Sequence, residues 1–345
     1  GQDPFGGQDE RSVVDSPVDG FLLDKLDADT LTPFADAYLL RLSPNRLSVL
    51  NLEGAEEFSF GIRSESPRVT TASDYALVYE QDGYDYYLVQ PTGVIYEGRT
   101  LDPIVEAQVS NQGQAALILD APDTRGVLRV MEKDGRHLFD YRLRDRMRSG
   151  YLITVNFAES QPYLDLSLLN TDGAIPRPLI HRFDLETAKL TDIYQMDATE
   201  VLPVIAQGIG GDMLAIGPTS VWRMEDQHMV PWQEVAKIEA AIPCQNGAAV
   251  LASETYDGEI RLYYLKFGSD ATQFSELPSI SVGSHPENFV SRNNFVAVSD
   301  GSTIYLVNVN TMATDRIELG SQILKMSLDD RGRVLVVTQD RVIRL

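Results

Sequence analysis

Cysteine is nearly missing from this chain of 345 residues: Cys244 is the only one, so no intramolecular disulfide can form and the fold must rest on packing. It sits in IEAAIPCQN with no His or Lys beside it to stabilise a thiolate, and reads as an inert buried thiol. Apolar runs of the roughly 18 to 20 residues that cross a membrane are missing as well. Positive charge is scarce, 29 Lys and Arg against 51 Asp and Glu, for a formal net charge of -22. Such a surface repels phosphate, which excludes a general nucleic-acid binder and disfavours contact with an anionic membrane. Familiar catalytic patterns are missing too: there is no G-x-S-x-G elbow, H-E-x-x-H helix, C-x-x-C pair or P-loop. QGIGGD at 207–212 comes nearest to a dinucleotide fingerprint, but its third Gly is misplaced and strand-like runs flank it, so it reads as a hairpin turn.

What the chain does have is repetition. From about residue 67 to residue 319 it divides into six units within the roughly 40 to 50 residues of propeller blades. A polar turn followed by a short apolar run recurs in NQGQAALIL, GGDMLAIG, QNGAAVLAS, RNNFVAVS and DDRGRVLVV, as expected of strands buried on both faces. Alternating strands that turn and restart recur in LNLEGAEEFSF, LVQPTGVIYE, VMEKDGRHLFDY, FDLETAKLTDIY and VNVNTMATDRIEL. Asp-Gly pairs at Asp82, Asp134, Asp172, Asp257 and Asp300 supply hairpin turns. A four-stranded unit cannot cover both its faces alone, so such units stack in a ring that has to close.

The expectation is therefore an all-β fold, a β-propeller of eight blades, or seven if residues 148–235 form one elaborate blade. The C-terminal piece supplies three strands, and the lone strand FLLDKLD at 21–27 joins that last blade to close the ring. Residues 1–17, polar, Gly-rich and acidic, read as a disordered lead-in to a single domain over 18–345. Gly1 in place of Met reads as the mark of a processed or trimmed chain, with any signal peptide or anchor lying upstream.

Candidate site residues are few. In YRLRDRMR, Arg142, Arg144, Arg146 and Arg148 recur every second residue; if extended, the stretch places four guanidinium groups on one face, able to hold a carboxylate or phosphate. The plainer reading is an outer strand that offsets acidic surface. The histidines His137, His181, His228 and His285 lie far apart; His285, in SVGSHPEN, is best placed for a channel mouth, and the others suit outer strands. Asp24, Asp27 and Asp29 resemble a loose calcium loop without its Gly and terminal Glu. SLDDRGRV resembles an Asp-box turn with its Gly one position late, and reads as a hairpin. Tyr84, Tyr86, Tyr87, Tyr263 and Tyr264 suit strand cores, and Trp222 and Trp232 packing between blades. No catalytic residue, metal site or cofactor is assigned.

The succession AYLLRL, RLSVLNLEG, YALVYEQDGYDYYLVQPTG, AQVSNQGQAALILDAPDTRGVLRVMEKDG and a close on VLVVTQDRVIRL resembles an uncharacterised family of Firmicutes extracytoplasmic β-propellers, a domain of unknown function related to the quinoprotein and YVTN-type propellers. The similarity covers most of the chain after residue 30. It implies an N-terminal membrane anchor, not included in this chain, and an extracytoplasmic propeller at the cell surface without assigned activity or site residues. The architecture is WD40-like, yet there is no WD dipeptide, and the Trp-bearing turns of quinoprotein repeats are missing, which argues against a quinone cofactor.

The functional expectation is a non-enzymatic propeller, monomeric, that binds a protein or cell-envelope ligand at one ring face near the Arg strip. The alternative is an enzyme, a lyase or hydrolase acting on carbohydrate or peptide in the central channel. A third reading is a purely structural module of an envelope assembly.

Overall fold

Among the described residues, runs of β-branched and aromatic residues four to eight long, punctuated by Gly, Asp and Asn turns, fold into 32 strands and two short 3-10 turns. The computed structural model describes residues 19–23, 27–144, 150–267, 275–283 and 286–345. Its strands form eight four-stranded antiparallel sheets. Blades 1 to 7 cover residues 31–61, 67–99, 104–142, 151–195, 204–234, 237–282 and 288–318, and residues 323–344 supply three strands of blade 8. Residues 148–235 thus contribute two blades, which settles eight over seven.

The fourth strand of blade 8 is N-terminal. Asp19–Leu22 pairs antiparallel with Arg341–Arg344, Asp19 forms an ion pair with Arg344, and Leu23 N–H donates to the Asp340 carbonyl at 2.7 Å. Closure is as expected, with one shift: the strand begins at Asp19 and ends at Leu22, because its partner offers only four residues. Phe21 then packs into the seam between blades 8 and 1, where Gly54, at φ 79, lets the backbone lie against its ring.

Within each blade the strands run up and down in chain order, and the first strands of successive blades meet around the axis. Turns after first and third strands therefore share one face, called upper here; connections after second and fourth strands share the lower face. The continuous apolar runs seen in the sequence are second strands, such as Ala115–Leu119 and Val334–Thr338, buried at every position. The core is accordingly divided into eight apolar seams, one at each blade interface. Each fully buried Leu or Val in them contributes roughly 1.5–3 kcal/mol.

Among the described residues no helix is long and apolar enough to cross a membrane.

Candidate functional site

The channel. First strands end at the axis, so the turn that follows each one brings polar groups from separate blades to the upper opening. A cavity of about 420 Å³ occupies this part of the channel, lined from blades 1, 2, 3, 4, 6, 7 and 8. Arg292, the last residue of the first strand of blade 7, ties three blades together there. The guanidinium donates from Nε to Asp330 at 2.6 Å in blade 8, and from Nη2 to Ser73 Oγ at 3.1 Å in blade 2. That second bond spans the opening instead of joining neighbours. Other turns are laced sideways: Ala35 N–H donates to the Ser73 carbonyl, Gln245 N–H to the Asn293 carbonyl, and Asn293 Nδ2 to Asp330.

Two carboxyls in the lining feel this geometry. Burial pushes the Glu159 carboxyl up to about 7, against the pull of Arg292. Burial also raises Asp36, Arg292 opposing, with Asp330, Asp329 and Asp74 adding to the rise. Lower in the cavity, Lys325 spends its ammonium on the carbonyls of Leu31, at 2.7 Å, and Asp29, at 3.1 Å, and its charged form is disfavoured by burial.

The lower face. Leu22, Tyr84, Leu101, Val105, Tyr151, Ile175 and Tyr256 are exposed large apolar side chains, and all lie on the lower face or at strand ends that meet it. Among the other exposed large apolar residues described, Ile209 lies on the upper face, and Ile95 and Ile193 lie within outer strands. Blades 2 to 4 hold most of them, and the two aromatics there are set beside arginine: Arg99 lies 5.3 Å over the Tyr84 ring, and Arg125 lies 5.1 Å over Tyr151 while pairing with Asp172 at 2.9 Å. Leu101 is 92% exposed.

The seam of blades 4 and 5. This blade interface holds a buried ion pair. Asp165 and Arg182 face each other across adjacent strands of blade 4 and form a bidentate pair at 2.9 and 2.8 Å, both almost fully buried. Gln207 of blade 5 donates to Asp165, Arg182 reaches the Gly211 carbonyl at 3.3 Å, and the guanidinium lies 5.0 Å over Tyr163. QGIGGD is the hairpin held by this arginine, not a nucleotide loop.

Of the Arg strip, Arg142 ends the outer strand His137–Arg142 of blade 3, and Arg144 follows Leu143; both are exposed on the lower face. The Leu143 carbonyl accepts from Arg125 N–H, so this pair of arginines adjoins the Tyr151 site. Arg146, Arg148 and His285 lie outside the described residues, as does Asp24. His137 and His228 begin outer strands, but His181 departs from expectation: it is fully buried on the third strand of blade 4, with Tyr141 Oη 3.2 Å from its Nδ1. Cys244 is buried, and burial followed by the nearby Glu159 raises its thiol well above the ordinary range. Tyr86, Tyr87, Tyr263 and Tyr264 are core residues, whereas Tyr84 is exposed. SLDDRGRV is a hairpin in which Asp329 accepts the N–H groups of Arg331 and Arg333.

Arg292, Glu159 and Asp36 were not singled out by sequence pattern. The available signal was positional: each sits at or just beyond the end of a first strand, and the repeat alignment located that turn for Arg292.

Residues 24–188 match DUF5711, described as a family of unknown function. No curated protein matches the chain. Among solved structures, BamB from Moraxella catarrhalis is similar with a TM-score of 0.56 and 13% identity, over 94% of this chain and 95% of that one. Apo AztD from Citrobacter koseri gives 0.53 and 12%, over 86% and 88%. PorZ from Porphyromonas gingivalis, described as an essential bacterial surface component of the type-IX secretion system, gives 0.50 and 10%, over 80% of this chain and 36% of that one. At these identities the likeness is one of fold: the chain shares the ring of sheets with each of these proteins.

Proposed function

We propose that this chain is a non-enzymatic binding propeller of the cell surface that holds a protein partner on the lower face of blades 2 to 4. The observation that carries the reading is the one-sided display of large apolar side chains there, with Tyr84 and Tyr151 set under Arg99 and Arg125. Exposed aromatics and arginines, immobilised before contact, are what interface centres use. Arg142 and Arg144 extend the face with guanidinium groups suited to carboxylates of the partner. Surface location is supported by PorZ, a bacterial surface component of the same fold.

The test is capture from a cell-envelope extract on the immobilised protein, with retained proteins identified by mass. A partner held by the wild type and lost with Leu101→Asp and with Tyr151→Asp supports the reading; retention unchanged in both sinks it. Replacing Arg142 and Arg144 together by Gln should weaken capture without abolishing it. Protease accessibility on intact cells tests the location.

The enzyme reading rests on Glu159, whose carboxyl titrates near neutrality in a cavity, as a general acid–base group needs. It requires turnover of a carbohydrate or peptide that Glu159→Gln abolishes.

A further inference from the structure

We propose that the channel cavity is a second, independent binding site, and that it takes a primary ammonium group carried on an aliphatic stem. The cavity walls are of two kinds. Ile242, Val290, Met326 and Phe34 provide apolar surface, while Asp36 and Glu159 place carboxyls in the same space. The resident cations offset those carboxyls only in part: Arg292 lowers both through space, but its hydrogen bonds go elsewhere. Arg292 is committed to Asp330 and Ser73, and Lys325 to the carbonyls of Leu31 and Asp29. An entering ammonium ion supplies the missing charge for Glu159 and Asp36.

Further observations favour this chemistry. No three His, Cys, Asp or Glu side chains are grouped to hold a metal ion among the described residues, so the carboxyls suit an organic cation better than a divalent metal. The volume, about 420 Å³, is in the range of small-molecule sites and admits a stem of several carbons. The chain's net charge of -22 draws cations toward such an opening from a distance.

The ammonium can belong to a free diamine or to a lysine side chain of a peptide, and the experiment separates these. The full chain is titrated calorimetrically at pH 8 with 1,5-diaminopentane, with the capped peptide acetyl-Gly-Lys-Gly-amide, and with pentan-1-ol as the uncharged control. One-to-one saturable binding of either amine, none of the alcohol, and at least a tenfold weakening by Glu159→Gln is the expected result. Asp36→Asn provides the second variant should Glu159→Gln fold poorly, and it should weaken binding in the same sense. Arg292→Ala, which removes the competing guanidinium, should tighten binding several-fold. Binding by the peptide alone assigns the site to a lysine of a partner; binding by the diamine alone assigns it to a free amine. Absence of saturable binding by both amines overturns the proposal, as does binding that neither carboxyl variant changes.

Discussion

Arg182 and Arg292 both pair with an aspartate in this propeller, and their surroundings give the two pairs opposite meanings. Arg182 is sealed between blades 4 and 5, its partner Asp165 is fully buried, and Gln207, Gly211 and Tyr163 occupy the rest of its surface. Every contact lies within one seam. Arg292 stands at the channel opening, its partner Asp330 is 57% exposed, and its reach extends across the ring to blade 2. Asp36, Asp74, Asp330 and Glu159 all act on it or are acted on by it. A pair that is fully satisfied specifies how two sheets dock; one surrounded by more carboxyls than it can neutralise leaves charge for something else to meet.

The sharpest way to break this comparison is to remove one partner from the sealed pair. Asp165→Ala leaves a guanidinium buried without its counter-ion, and the expected loss is about 3–5 kcal/mol in denaturant unfolding. Replacing both residues by apolar ones, Asp165→Leu with Arg182→Met, should recover most of that loss, because the desolvation cost disappears with the charges. A single variant that unfolds within about 1 kcal/mol of wild type would mean the seam does not depend on the pair.

Glu159 gives the next largest effect and places it in a pH window. Its carboxyl is raised from 4.5 to about 7 on folding. The folded state therefore binds a proton more tightly than the unfolded chain, so this group's contribution is fully present below about pH 4.5 and is lost as pH rises through about 7. Glu159→Gln removes the penalty of a buried charge: it should stabilise the protein at pH 8 by up to about 3 kcal/mol and leave stability near pH 4 unchanged. Melting curves of both proteins across that range check it, and parallel curves with no pH-dependent gap would show that the carboxylate is well solvated.

The fold was open to reading from sequence because its signal is local and repeated. Runs such as AALIL and VLVVT are buried at every position, and five of the six Asp-Gly pairs fall at turns between strands, Asp19-Gly20 lying inside the closing strand instead, so pattern and structure share one cause. The channel site has no such signal. Asp36, Glu159 and Arg292 belong to three blades and meet only because the ring closes. Each is also a single polar residue in or beside a turn, which is what solvated surface looks like. The Arg strip is the converse case. Period 2 drew attention to Arg142 and Arg144, yet the strand ends at Arg142, and what marks that face is the exposed Leu101 and Tyr151, which no periodicity reports.

The smallest effect on stability is the most informative about Arg292. Because its pair with Asp330 is part-exposed at an opening, Arg292→Ala should cost no more than about 1 kcal/mol, well below the loss from Asp165→Ala. Its electrostatic effect should be larger than its structural one. Arg292 is the group that holds down both Glu159 and Asp36, so its removal lets burial act unopposed on Glu159, and burial together with the neighbouring carboxylates on Asp36. Both carboxyls should then titrate at higher pH than in the wild type, a shift visible in carbon-detected NMR of side-chain carboxyls. A variant with unaltered titration but a large loss of stability would place Arg292 in the same structural class as Arg182, since a guanidinium that props up packing without acting on the channel carboxyls has no charge left to govern.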